Sequence, residues 1–353
     1  MKQEKFGIIE NQEISLFTLT NSNGMELQVT NYGAIITSLK IKNNKNELKD
    51  IVLGFNSFDD YLNSNYYYLG TTIGRFGNRI KDGIFKLNET TYTLDKNEEG
   101  SHHLHGGVKG FDKVIWDAEA AENSIELSYF SCDGEEGYPG NLQVKIKYSL
   151  TDENEFILDY SATTDKDTVI NLTNHSYFNL NGDDSGEALN HKLKLNADNY
   201  TPTDAEGIPT GEIRNVKNSA FDFKDFHTIG ERIESDEEQI KFKSGYDINY
   251  VLDNQKNELK EAGILKSEES GIEMQVLTTE PAIQFYTMND DDNDPEDVTV
   301  IEGKNGTYLK RNGICLETQH SPDSPNQPNF PSTTLKVGDI YNSQTIYKFS
   351  VLK

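Results

Sequence analysis

The sequence predicts an all-β protein, an antiparallel sandwich or barrel. Three observations carry this: apolar and polar residues alternate over short stretches, turn-forming residues separate those stretches, and neither strand–helix alternation nor a sustained helical period is present. The clearest case places Leu142, Val144, Ile146, Tyr148 and Leu150 on one arm of a hairpin and Phe156, Leu158, Tyr160 and Ala162 on the other. Thr151-Asp-Glu-Asn is the turn between them. Ile125–Phe130, Lys192–Ala197, Met274–Leu277 and Ile283–Thr287 read as further strands, each flanked by Gly, Asn, Asp or Pro. The best helical candidate is Ile229–Ile240. With no linker and no repeat of fixed period, residues 1–353 are expected to form a single domain.

Composition narrows the partners. The chain of 353 residues carries 33 basic against 59 acidic side chains, a formal charge of −26. Such a surface opposes nucleic acid and anionic membranes, both of which need clustered cations. Aromatic residues make up 10% of the chain, which separates it from acidic disordered sequences. No run of 18 apolar residues occurs and the first ten residues lack an apolar leader, so a cytoplasmic protein is expected. Cys132 and Cys315 form no CxxC pair and read as reduced thiols. Sequons occur at Asn88, Asn171, Asn174, Asn199 and Asn305, two of them inside a segment that carries candidate chemistry. The acidic stretch Asn289–Asp297 reads as a solvated loop.

Four segments rich in Gly, Asn, His and Pro are poor core material and good site material. Ile73-Gly-Arg-Phe-Gly-Asn-Arg-Ile80 offers arginine and amide donors beside glycines that permit close approach. Ser101-His-His-Leu-His-Gly-Gly107 sets His103 and His105 on one face of an extended strand. Without a nearby Cys or an HExxH helix, hydrogen-bonding histidines are expected there rather than a metal site. Leu172-Thr-Asn-His-Ser-Tyr-Phe-Asn-Leu180 surrounds His175 with polar neighbours that would let it exchange a proton near neutrality. In Gly313–Pro331, Glu317 ends a short apolar strand and faces a loop stiffened by Pro322, Pro325, Pro328 and Pro331.

With these segments stand Asp133-Gly-Glu-Glu-Gly-Tyr-Pro-Gly140, Tyr200-Thr-Pro-Thr-Asp204, Gly245-Tyr-Asp247, Thr279-Glu-Pro281 and Gln284-Phe-Tyr286. All of them, in this order, resemble the aldose 1-epimerases from about Tyr32 to the C-terminus. The resemblance implies a large twisted antiparallel β-sandwich of the galactose mutarotase type and an isomerase that needs neither cofactor nor metal. It implies His175 as general acid, Glu317 as general base, and Asn78, Arg79, His105, Tyr177, Asp247 and Gln284 as ligands of sugar hydroxyls. The partner would be a small aldohexose, galactose or glucose, and the protein a monomer or homodimer. Phe76-Gly77 replaces a more usual Val-Ala, and Asn289–Lys310 is longer and more acidic than is typical. A Glu–His pair suits moving two protons at a hemiacetal, whereas expulsion of an alcohol from a glycoside calls for two carboxylates. A non-catalytic sugar-binding sandwich and a hexose-phosphate epimerase are the competing readings.

Overall fold

The computed structural model describes residues 1–63, 68–254, 257–290 and 298–352. Most of the acidic stretch, 291–297, therefore lies outside the described residues. The fold is built on three antiparallel sheets. A five-stranded meander runs from Lys2–Ile9 to Leu48–Asp50. A nine-stranded sheet holds, in spatial order, Asp117–Ala120, Ser124–Ser131, Leu142–Leu150, Glu155–Thr164, Tyr341–Val351, Ile272–Thr278, Lys260–Lys266, Lys192–Leu195 and His227–Thr228. A six-stranded sheet runs Tyr177–Phe178, Ile314–Gln319, Ala282–Tyr286, Asp247–Val251, Asn199–Thr201 and Arg214–Asn215.

The period of two explains the packing. Leu142–Leu150 pairs with Glu155–Thr164 in the expected hairpin, with Tyr148 opposite Leu158 and Ile146 opposite Tyr160. Their alternate residues are buried, so one face of this hairpin enters the main core. That core also takes Leu27, Val29 and Ile36 from the meander, and Ile248, Tyr250, Ile283, Phe285, Ile314 and Leu316 from the six-stranded sheet. The strands expected at Ile125–Phe130, Lys192–Ala197, Met274–Leu277 and Ile283–Thr287 all form, with ends shifted by at most two residues.

The helix expected over Ile229–Ile240 does not form as one element. A 3-10 turn covers Ile229–Glu231 and a short α-helix covers Glu238–Phe242. Between them Ser235 accepts the Glu237 amide through its hydroxyl, a local bond that competes with helix formation. The periodic apolar residues Ile229, Ile233 and Ile240 are all buried, but from separate turns. Another short helix, Phe58–Asn63, begins after Ser57, whose hydroxyl accepts the Asp60 amide as a cap.

The Ile314–Gln319 strand is buried on both faces, with Leu316 turned to the core and Glu317 to the opposite face. Replacing Leu316 by Ala is expected to cost about 2–5 kcal/mol of stability from lost burial and the cavity left behind. Urea denaturation measures this; a loss below about 1 kcal/mol would show that Leu316 does not pack as described.

Candidate active site

On the face turned away from the main core, Cys315, Glu317 and Gln319 project together from one strand. Gln284 stands directly across the ladder from Glu317, and Asn249 directly across from Gln284. Asp247 shares the face of Asn249, two residues along, and accepts a 2.6 Å hydrogen bond from Gln284 Nε2. His175 arrives from the short connection between Thr173–Asn174 and Tyr177–Phe178. Its backbone is pinned twice: the N–H donates to the Thr71 carbonyl and the C=O accepts from the Gly70 amide. The imidazole Nε2 then lies 3.7 Å from Glu317 Oε1, and Nδ1 lies 3.6 Å from Cys315 Sγ.

Two loops complete the site by gripping each other. The His105 amide donates to the Asn78 carbonyl, and the Asn78 amide donates to His105 Nδ1 at 3.2 Å. Both residues adopt positive φ, 62° at Asn78 and 50° at His105. The loops approach so closely that a Cβ on Gly106 would fall 1.8 Å from the Gly74 carbonyl oxygen, which only glycine avoids. Arg79 is held by Glu98 through Nε and Nη2, with contacts of 2.6 to 3.0 Å, and its Nη1 lies 3.8 Å from Asp247. Arg79, Asp247 and Tyr286 line a cleft of about 390 Å³. His175 and Glu317 are buried beside it, 5% and 2% exposed. Tyr177 packs against the His175 ring at 5.0 Å, inside a second apolar cluster.

The family model for aldose 1-epimerase matches residues 15–348. The chain belongs to the aldose 1-epimerase family. It is 40% identical over 331 residues to the galactose mutarotases of Bos taurus and Homo sapiens, covering 94% of this chain and 92% of each relative. The aldose 1-epimerase of Haemophilus influenzae is 37% identical and covers 99% of both chains. Among solved structures, galactose 1-epimerase from Lactobacillus acidophilus aligns with a TM-score of 0.83 at 30% identity, covering 100% of this chain and 99% of its own. An aldose epimerase homologue from C. elegans aligns at 0.84 with 28% identity, covering 96% and 99%. The protein is thus an isomerase of the aldose 1-epimerase class, with the mutarotase-like β fold expected from its sequence.

In this epimerase all eight candidate residues fall in one neighbourhood, while other residues of the same motifs do not. The strand His103–Leu104 ends before His105, so His103 and His105 do not share a strand face. His103 bonds the Asp95 carbonyl and the Tyr138 hydroxyl instead, and is structural. Arg75 is buried and spends its guanidinium on Ser131, Cys132 and Pro139. Phe76, at one of the two unusual positions, packs with Ile80 and Phe85 in a third apolar cluster. Asn171 and Asn174 are buried with their amide groups bonded to backbone carbonyls, so neither accepts a glycan in the folded chain. Glu98 and Lys243, which line the cleft with Arg79, are residues that motif reading missed; for Glu98, nearness in sequence to the histidine segment was the available signal.

His105, His175 and Glu317 present ligand atoms within 4.8 Å of one another, the one such group among the described residues. The donor chemistry does not suit a cation. His105 Nδ1 accepts an amide proton, which leaves the ring proton on Nε2, whereas a ligating histidine turns its remaining N–H toward an acceptor. This imidazole is set to donate to an oxygen.

Burial dominates the electrostatics. It draws His175 down to about 4, against the near-neutral titration expected from its polar neighbours. It lowers His105 well below the usual range, with His175 and Arg79 adding to the effect. It raises the Glu317 carboxyl well above the carboxylate range, Asp247 reinforcing this and Arg79 opposing it. Both shifts favour the neutral forms, a carboxylic acid at Glu317 and a neutral imidazole at His175. Glu317 Oε2 and Gln284 Oε1 are buried beside the cleft without a hydrogen-bond partner among the described residues.

Two outcomes are expected. Glu98→Ala frees the Arg79 guanidinium and should raise KM by about fivefold to twentyfold, as charge-assisted bonds of this kind are worth ~1–2 kcal/mol; steady-state polarimetry measures it, and an unchanged KM counts against the grip. His103, His175 and His191 are each held neutral by burial down to about 4. Their unfolded forms bind protons from about pH 6.5, so the folded state should lose stability as pH falls from about 6.5 to about 4. His175→Asn should flatten part of that loss in denaturation curves taken across this window.

Proposed function

We propose that the protein interconverts the α- and β-anomers of D-galactose and D-glucose, with His175 as general acid and Glu317 as general base. The observation that carries this reading is the buried His175–Glu317 contact at 3.7 Å, ringed by hydroxyl-binding groups. Opening a pyranose hemiacetal requires one proton to leave the C1 hydroxyl and one to reach the ring oxygen O5. Glu317 and His175 hold one proton between them, which is the number the reaction needs.

The site's charges act on where that proton sits. Asp247 stabilises a positive His175 but opposes a negative Glu317, which Arg79 stabilises. Shifting the proton from Glu317 to His175 gives an imidazolium facing O5 and a carboxylate facing the C1 hydroxyl. Glu317 takes the hydroxyl proton while His175 protonates O5, and the C1–O5 bond breaks to leave an open-chain aldehyde. Rotation about C1–C2 turns the other carbonyl face toward O5. Closure runs the transfers in reverse and restores both groups. Nothing is oxidised or reduced, and the open chain is the intermediate.

Asn78, Arg79, His105, Asp247 and Gln284 hold the ring by its hydroxyls, which makes the proton transfers unimolecular. Tyr177 acts where it packs, against the His175 ring and the adjoining sugar face. The whole chain serves one such site, as a cytoplasmic monomer or homodimer.

Glu317→Gln should lower kcat by a factor on the order of 10²–10⁴, read from the relaxation of freshly dissolved α-D-galactose. The same variant should be more stable than the parent at neutral pH. A carboxyl raised in the folded state costs stability as pH rises from the ordinary carboxylate range toward its folded value, and glutamine does not titrate. Near-normal relaxation by this variant would end the assignment of Glu317 as base.

A further inference from the structure

We infer that Lys243 is a further substrate-binding residue, its ammonium donating to a hydroxyl oxygen of a neutral aldose in the cleft. The inference rests on the sugar-isomerase reading above and names a contact and a substrate class within it.

Lys243 follows the Glu238–Phe242 helix and precedes Asp247 by four residues. Ser244 and Gly245 between them take positive φ, 49° and 151°, and both Lys243 and Asp247 line the same cleft. The turn is held from outside, where Arg311 donates to the Ser244 carbonyl and to Thr287 and Asn289. Its shape is therefore fixed by the protein before any ligand arrives.

The Lys243 ammonium makes no hydrogen bond or ion pair with any described residue. Arg79, the other cation of the cleft, is engaged by Glu98 and Asp247. A Cβ placed on Gly207 would lie 3.0 Å from Lys243 Nζ and 3.2 Å from Arg79 Cζ. The two cations are thus within about 6 Å of each other, where like charges repel appreciably outside bulk water. A half-buried ammonium beside a second cation is costly without acceptors for its three N–H groups. The neighbouring Asp247, Glu98 and Asp204 offset part of that cost through space, while burial and Arg79 hold the amine below the usual lysine range. None of them accepts its hydrogen bonds. The donors point to an acceptor that arrives with the ligand.

The class of that ligand follows from the rest of the wall. Five carboxylates, Glu98, Glu99, Glu206, Asp247 and Asp290, face two cations. A phosphate or carboxylate on the sugar would enter a cleft of net negative charge. A neutral pyranose offers hydroxyl oxygens to Lys243 with no such repulsion.

The test uses Lys243→Met, which keeps the apolar stem and removes the donors. KM and kcat are measured by polarimetry on galactose, glucose and glucose 6-phosphate for parent and variant, alongside the urea midpoint. The expected result is a KM for galactose or glucose raised about fivefold to twentyfold, with kcat within about twofold and an unchanged midpoint. In the parent, kcat/KM for glucose 6-phosphate should be at least about tenfold below that for glucose. Unchanged KM for both neutral sugars, or a fall in kcat alone, overturns the contact. A parent that prefers glucose 6-phosphate overturns the neutral class. A parent that relaxes neither neutral sugar overturns the isomerase reading itself. Lys243→Gln keeps a neutral donor and covers a Met variant that fails to fold; its KM should rise by a smaller factor, and an unchanged KM again overturns the contact.

Discussion

The exclusion of water from one carboxyl and one imidazole is the constraint on which the site depends. In water each group would carry its own charge state at neutral pH, and nothing would join their titrations. Out of water and 3.7 Å apart both are pushed toward their neutral forms, and the balance answers to Asp247 and Arg79. That arrangement exists because a strand buried on both faces can turn Leu316 toward hydrocarbon and Glu317 toward polar groups. The register of Glu317 with Gln284, and of Gln284 with Asn249, then sets a row of polar groups across three strands. Sheet and proton chemistry are one design: a one-residue slip would carry Glu317 into the core and Leu316 into the cleft.

Rigid backbone positions the groups that come from loops. Asn78 and His105 hold each other through reciprocal amide bonds, and His175 is held at both its N–H and its C=O. Asn171 adds a tie between Gly77 and His320, linking the arginine loop to the end of the strand that carries Glu317. The candidate side chains are therefore ordered by the main chain, which would leave little conformational entropy to lose on binding.

Legibility in the sequence followed physical range. The 142–162 hairpin could be read because its alternation is local, and every inward residue lies at the expected parity. The eight candidate residues could be named because their segments resemble a known pattern, and those segments converge in the fold. The missing parts depend on what lies across space. Glu98 and Lys243 belong to no motif, and only the fold brings them to Arg79. The depressed titration of His175 is set by burial, which its polar sequence neighbours gave no sign of. The broken 229–240 helix shows apolar spacing that mimics a period while arising from two separate turns. The charge of −26 is likewise resolved by place: most of it is surface, but five carboxylates line the cleft.

The buried sequons have a consequence for how the chain can be made. Glycan transfer acts on an asparagine before its segment is packed, whereas Asn171 and Asn174 spend their amides on the carbonyls that close the site. Along a glycosylating secretory route the two events compete for the same nitrogen atoms. A chain that folds first escapes modification, and a chain modified first cannot bring the 70–79 loop against His175. Secretion through such a route would divide the product into an unmodified folded fraction and a glycosylated fraction unable to bring these segments together.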